Sequence, residues 1–82
     1  MTYEPEYTCA IEKLVLEKGS KRDKYHVVML TTKEIAEKMG KAPTESEYRL
    51  IVHIARTAYP LTYIERANGD AGWLLHIKIR NK

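Results

Sequence analysis

Cysteine is almost absent: Cys9 stands alone among 82 residues. An internal disulfide is therefore impossible, and so is a zinc site built from several thiolates. The ordinary reading of Cys9 is a small, partly buried hydrophobe, with a reactive or intermolecular thiol as the alternative. Long apolar runs are missing as well, since none approaches the ~20 residues of a membrane span. The opening residues MTYEPEYTCAIEK carry acid where a secretory leader needs positive charge and then a long apolar stretch. The expected start is that of a cytoplasmic protein.

Signatures of catalysis are equally scarce. No nucleophile elbow, P-loop or His-Glu-x-x-His motif occurs. The histidines are scattered at His26, His53 and His76. His26 and His76 meet only if their strands pair, and neither has a carboxylate or thiol at ligand spacing. The expectation is no metal, no cofactor, no evident small-molecule ligand and no enzymatic activity.

What is present suffices for one small domain spanning 1–82. A chain of this size buries only roughly 60% of its unfolded surface, so the core must be economical. Hydrophobic residues at 44% support a globular fold. Repeats, low-complexity tracts and linkers are lacking. The net charge of +3 favours an anionic partner and is unevenly spread. Met1 to Lys18 holds four Glu against two Lys, whereas Arg66 to Lys82 holds four basic residues against Asp70 alone.

The order of elements is the most readable property. Pro5 suits a first helical turn, and Tyr7, Ile11, Leu14 and Val15 recur at helical spacing up to Gly19. Ser20 to Lys24 reads as a solvated loop, and Val27 to Leu30 as a short strand. Thr31 and Glu34 form a T-x-x-E capping box, Ile35, Ala36 and Met39 share one face, and Gly40 is placed to end that helix. Thr44 and Glu47 repeat the box thirteen residues on, with Gly40 and Pro43 between them. Two short-linked helices follow from this.

The second of them runs from about Glu45 to Tyr59 and stops before Pro60. Its apolar arc is Leu50, Ile51, Ile54, Ala55 and Ala58, extended by Tyr48, Val52 and Tyr59. Ser46, Arg49, His53 and Arg56 occupy the opposite side at spacings of three, four and three. Leu61 to Arg66 is β-rich, Asn68 to Gly72 is a turn, and Trp73, Leu75, Ile77 and Ile79 alternate with Leu74, His76, Lys78 and Arg80. The inner face of this hairpin should cover the helices, leaving Lys78 and Arg80 outside.

Carried by Ile35-Ala36-Glu37-Lys38-Met39-Gly40, the helix 45–59 and the hairpin 61–80, the chain resembles the winged helix-turn-helix superfamily of prokaryotic and archaeal regulators over about 75 of its 82 residues. Its brevity looks like compact regulators of archaea, their viruses or plasmids. The resemblance implies an α+β fold of three helices with a C-terminal β-hairpin wing, and a transcription regulator that binds double-stranded DNA. Helix 45–59 would then read the major groove through Ser46, Arg49, His53 and Arg56. Lys33, with the amides near Thr31 and Thr32, would meet phosphate, Arg66 and Asn68 would belong to the wing, and Lys78 would contact the backbone. Arginine suits base reading because its fork engages guanine O6 and N7 together. The resemblance also implies a homodimer, for which Cys9 and Leu16 on the first helix are the remaining surface.

Plainer readings stand beside these. Arg49 and Arg56 could simply solvate a helix, Lys21, Arg22 and Lys24 a loop, while Tyr48, Tyr59 and Trp73 read as packing residues. Glu45, at the start of the second capped helix, opposes a nearby phosphate unless it accepts from cytosine N4. The alternatives to DNA regulation are a winged-helix module that docks another protein and a replication or RNA-binding accessory domain.

Overall fold

The computed structural model describes residues 4–80; Met1 to Tyr3 and Asn81 to Lys82, the outer ends of the acidic and basic segments, lie outside them. Three helices pack on one four-stranded antiparallel sheet. Helix α1 spans Glu4–Lys18, and its helical spacing of apolar residues places Tyr7, Ile11, Leu14 and Val15 in the core. Strand β1 (Ser20–Arg22) turns back through Asp23 and Lys24 into β2 (Tyr25–Thr31). The segment expected to be a solvated loop is thus an edge strand. Its three side chains are all exposed, so it carries no alternation to betray it, and polar or charged edges of this kind guard a sheet against further pairing. Asp23 takes a φ of 48°, a left-handed value that a short polar side chain tolerates, and this closes the two-residue turn.

Helix α2 (Thr32–Lys38) starts at the expected capping box. The Glu34 amide donates to Thr31 Oγ1 at 3.0 Å and the Thr31 amide donates to the Glu34 carboxylate at 3.1 Å. Gly40 ends it at φ 71°, in the left-handed position after the cap. There the amides of Gly40 and Lys41 turn back to the carbonyls of Glu37 and Ala36, satisfying groups that the helix end would leave orphaned.

Helix α3 (Glu45–Ala58) begins with half of its expected box. Thr44 Oγ1 accepts from the Glu47 amide at 3.2 Å, but the Glu47 carboxylate does not return to the cap. It accepts instead from the Tyr7 hydroxyl on α1. The helix stops one residue short of Tyr59, which serves as its cap before Pro60.

Strands β3 (Tyr63–Arg66) and β4 (Trp73–Arg80) form the C-terminal hairpin, and the strand order is β1-β2-β4-β3. In the register Val28↔Ile77 and Leu30↔Leu75, all four side chains face the helices and are buried. His26 pairs with Ile79 on that same face, whereas His76 pairs with Met29 on the other. The two histidines therefore cannot meet across the sheet.

Helix α1 is tied to its neighbours by polar contacts at both ends. Besides Tyr7 to Glu47, the Tyr59 hydroxyl donates to Glu12 at 3.2 Å. Burial first, and then the Glu12 carboxylate, push the Tyr59 hydroxyl well above its usual value, so it remains a donor. Lys38 pairs with Glu17 at 2.8 Å, and Lys18 with Glu34.

Partial burial works to raise the Glu34 carboxyl, yet hydrogen bonds from Lys18 and from the Thr31 amide outweigh it and hold the group below its ordinary 4.5. A carboxyl depressed on folding adds stability that is complete above the unfolded value and is lost as pH falls through the folded one. Glu34→Gln should therefore be less stable than the parent at neutral pH, by about 1 kcal/mol or less because the pair is solvent-screened. Thermal melts should show that difference closing as pH falls below the ordinary carboxyl value of 4.5.

Candidate nucleic-acid interface

Helix α3 owes its position to its own two faces. Ile51, Ile54 and Ala55 are buried, Leu50 and Val52 pack against the core edge, and Tyr48 and Tyr59 anchor the two ends. Ala58, expected on the apolar arc, is exposed in the final turn. The opposite face presents Ser46, Arg49, His53 and Arg56, every one of them exposed. Among the described residues neither arginine has an ion-pair partner. At about 1.5 Å rise per residue the stripe is about 15 Å long.

Beside the start of α3 lies the turn between β3 and β4, held by four contacts. The buried Thr32 hydroxyl donates to the Ala71 carbonyl at 2.9 Å and accepts from the Trp73 amide at 3.1 Å. The Lys33 amide donates to the same Ala71 carbonyl at 3.3 Å, and the Tyr48 hydroxyl to the Asp70 carbonyl at 3.0 Å. Gly72 sits under this clamp at φ 84°, where a Cβ would lie 2.3 Å from Thr32 Oγ1 and 2.5 Å from the Tyr48 ring. No other residue type fits there without displacing both.

The contacts here narrow one expectation. The amides of Thr31 and Lys33 are not open to a phosphate at the start of α2, because Glu34 and Ala71 already accept from them. What Lys33 still offers is its ammonium group, which stands 3.4 Å from the highly exposed Asp70 in a pair that solvent weakens.

Arg66 ends β3 with its guanidinium 4.9 Å from the Trp73 ring, close enough for a cation–π contact that fixes its direction. Asn68 is exposed in the turn. Arg66 and Trp73 line a cleft of about 260 Å³ together with Pro43, Glu45, Tyr48 and Asp70. Glu45 is exposed on the rim of this cleft, which Arg66 also lines, whereas Glu47 is engaged by Tyr7.

Of the eight candidate residues, Ser46, Arg49, His53 and Arg56 lie together, and Lys33, Arg66 and Asn68 cluster around the turn beside the start of α3. Lys78 does not join them. It pairs with Val27 on the face of the sheet turned away from the helices, its ammonium 5.8 Å from the Tyr25 ring. That face also exposes Met29 and Tyr63, neither of which the sequence reading singled out. Met29 was hidden inside the unbroken apolar run Val27 to Leu30, which conceals alternation. Tyr63 was readable in principle, since it alternates with buried-side Ile64. Cys9 is exposed, contrary to the partly buried place expected for it.

Among the described residues, no three His, Cys, Asp or Glu side chains are grouped to hold a metal ion, and no helix is long and apolar enough to cross a membrane. The chain matches no protein-family model, no curated protein and no solved structure.

Gly72→Ala tests the clamp directly. The left-handed backbone and the overlap with Thr32 and Tyr48 should together cost about 2–4 kcal/mol of unfolding free energy. Chemical denaturation would measure it, and a loss under about 0.5 kcal/mol, the size of an ordinary surface change, would mean that the turn is not held as described.

Proposed function

We propose that this chain is a winged helix-turn-helix domain that binds double-stranded DNA and acts as a transcription regulator. Its connectivity supports the fold: α2 and α3 lie between β2 and β3, and β2-β4-β3 run side by side with the 67–72 turn as a short wing. The observation that carries the function is the stripe of Arg49, His53 and Arg56, with Ser46, along the solvent face of α3. A major groove about 12 Å wide admits such a helix, and two arginines without intramolecular partners lose no ion pair on entering it. Arg56 also lies in the last turn of α3, where a cation complements the helix dipole.

The wing contributes position. Arg66, Asn68 and Lys33 surround the clamped turn and would meet phosphates flanking the groove, contacts that orient a protein without reading sequence. Glu45 accepts from a cytosine amine or repels phosphate, according to how deeply the start of α3 enters. A protein-docking module using the same stripe is the rival reading, and it differs in its response to salt.

The binding test is an anisotropy titration of a duplex at several salt concentrations. Affinity should fall steeply as salt rises, through release of counterions from neutralised phosphates. Arg49→Ala and Arg56→Ala should each cost about 1–3 kcal/mol on a preferred site, whereas Arg66→Ala should weaken all sequences alike. Absence of binding even at low salt, or a double Arg49/Arg56 variant that binds normally, would remove α3 as the reading helix.

Assembly forms part of the same proposal. Leu16 is 77% exposed and Cys9, two helical turns before it on α1, is exposed too. A two-fold contact through this surface would set two α3 helices toward half-sites about one DNA turn apart. Sedimentation equilibrium should then show a dimer that Leu16→Glu converts to monomer. A monomer for both chains, with and without DNA, contradicts it.

A further inference from the structure

The sheet has a second side that the duplex reading leaves unused. On the face away from the helices Met29 is 61% exposed and Tyr63 63%, and Leu61, in the turn before β3 and lining the same groove, is 56% exposed. These are three of the four large hydrophobic residues left most open among the described residues. Tyr63 and His76 are cross-strand neighbours with ring centroids 5.3 Å apart. Around them stand Arg22 on β1 and Lys78 and Arg80 on β4, none with an ion-pair partner among the described residues. The carboxylate within the patch, Glu65, is bound to His76 at 2.5 Å. A shallow groove runs across the strands here, floored by Met29, Tyr63 and His76 and bordered by Arg22 and Lys78.

We infer that this outer sheet face is a binding surface for single-stranded nucleic acid. Open aromatic rings beside unpaired cations match what an unpaired strand offers, namely flat bases to stack and regularly spaced phosphates to neutralise. A base seats on the Tyr63 ring against Met29, and the backbone passes Lys78 toward Arg22. The same cations argue against a second copy of this chain as occupant, because a two-fold contact would bring like charges together without compensating carboxylates. Duplex DNA fits poorly, since its bases are already stacked and present no ring faces. The inference does not depend on α3, whose stripe uses different residues on a different surface.

The experiment is an anisotropy titration of fluorescein-labelled oligothymidylate and oligouridylate, each of about 12 nucleotides, a length one small fold can cover. The wild-type chain should bind at low salt. Tyr63→Ala should weaken that binding about ten-fold or more, with Tyr63→Trp restoring it, and duplex affinity should not change. Lys78→Ala should weaken binding and reduce the salt slope by about 0.7. Tyr63 is exposed, and circular dichroism of both Tyr63 variants checks that the fold is intact. No binding to either oligonucleotide at low salt overturns the inference. So does binding that polyglutamate competes away and Tyr63→Ala leaves untouched, which would give the face to an acidic polypeptide. A wild-type dimer dissolved by Tyr63→Glu would give it to a second copy and equally overturn the proposal.

Discussion

The hydroxyl of Thr32 is the joint on which the arrangement depends. It is fully buried, and it satisfies one carbonyl and one amide of the chain leading into β4. Its neighbour Thr31 does unrelated work, capping the helix that Thr32 opens. Two adjacent threonines thus start α2 and fasten the C-terminal hairpin to it. Replacing Thr32 by an isosteric Val would strand a partly buried amide, at about 1 kcal/mol or somewhat more, a sizeable part of the ~5–15 kcal/mol that holds a domain together. Tyr48 adds a second bond from α3 to the same turn. The turn and the start of α3 are consequently positioned as one unit, which is what a helix and wing gripping one duplex would require.

A second constraint is how the acidic side chains are spent. Glu12, Glu17, Glu34, Glu47, Glu65 and Asp70 each engage a partner within the chain, on Tyr59, Lys38, Lys18, Tyr7, His76 and Lys33 respectively. Most of these contacts strap α1 to the other two helices. Among the described residues, the cations without an ion pair include Arg49 and Arg56 on α3 and Arg22, Lys78 and Arg80 on the outer sheet, with Lys13, Lys21, Lys24, Lys41 and Arg66 elsewhere on the surface. The α3 stripe and the outer sheet are thus two separate places where cations stand free of carboxylates.

Much of the fold was legible because local signals agreed with the packing. The Thr31–Glu34 box, Gly40, Pro60 and the alternation from Trp73 to Arg80 mark real boundaries. The misses have physical causes. Edge strand β1 is polar on both faces, so no period distinguishes it from a loop. Glu47 fits the capping pattern, but a tyrosine forty residues earlier competes for its carboxylate, and sequence spacing does not register such a partner. The Lys33 amide near the start of α2 is taken by a carbonyl 38 residues further on, equally invisible locally. For the candidate interface, helical periodicity sufficed to gather the α3 stripe. Lys78 was correctly read as outward-facing, yet outward on the sheet is a different direction from outward on α3.

The most direct test is a backbone amide chemical-shift titration of the chain with a short duplex. The account predicts that the amides of Ser46, Arg49, His53 and Arg56 and those of residues 66–70 shift together, at the same ligand ratio, while those around Tyr63 and Met29 stay in place. Shifts on α3 without the wing would show that the Thr32 joint does not make one surface of them. Shifts confined to α1, or none anywhere at low salt, would contradict the account altogether.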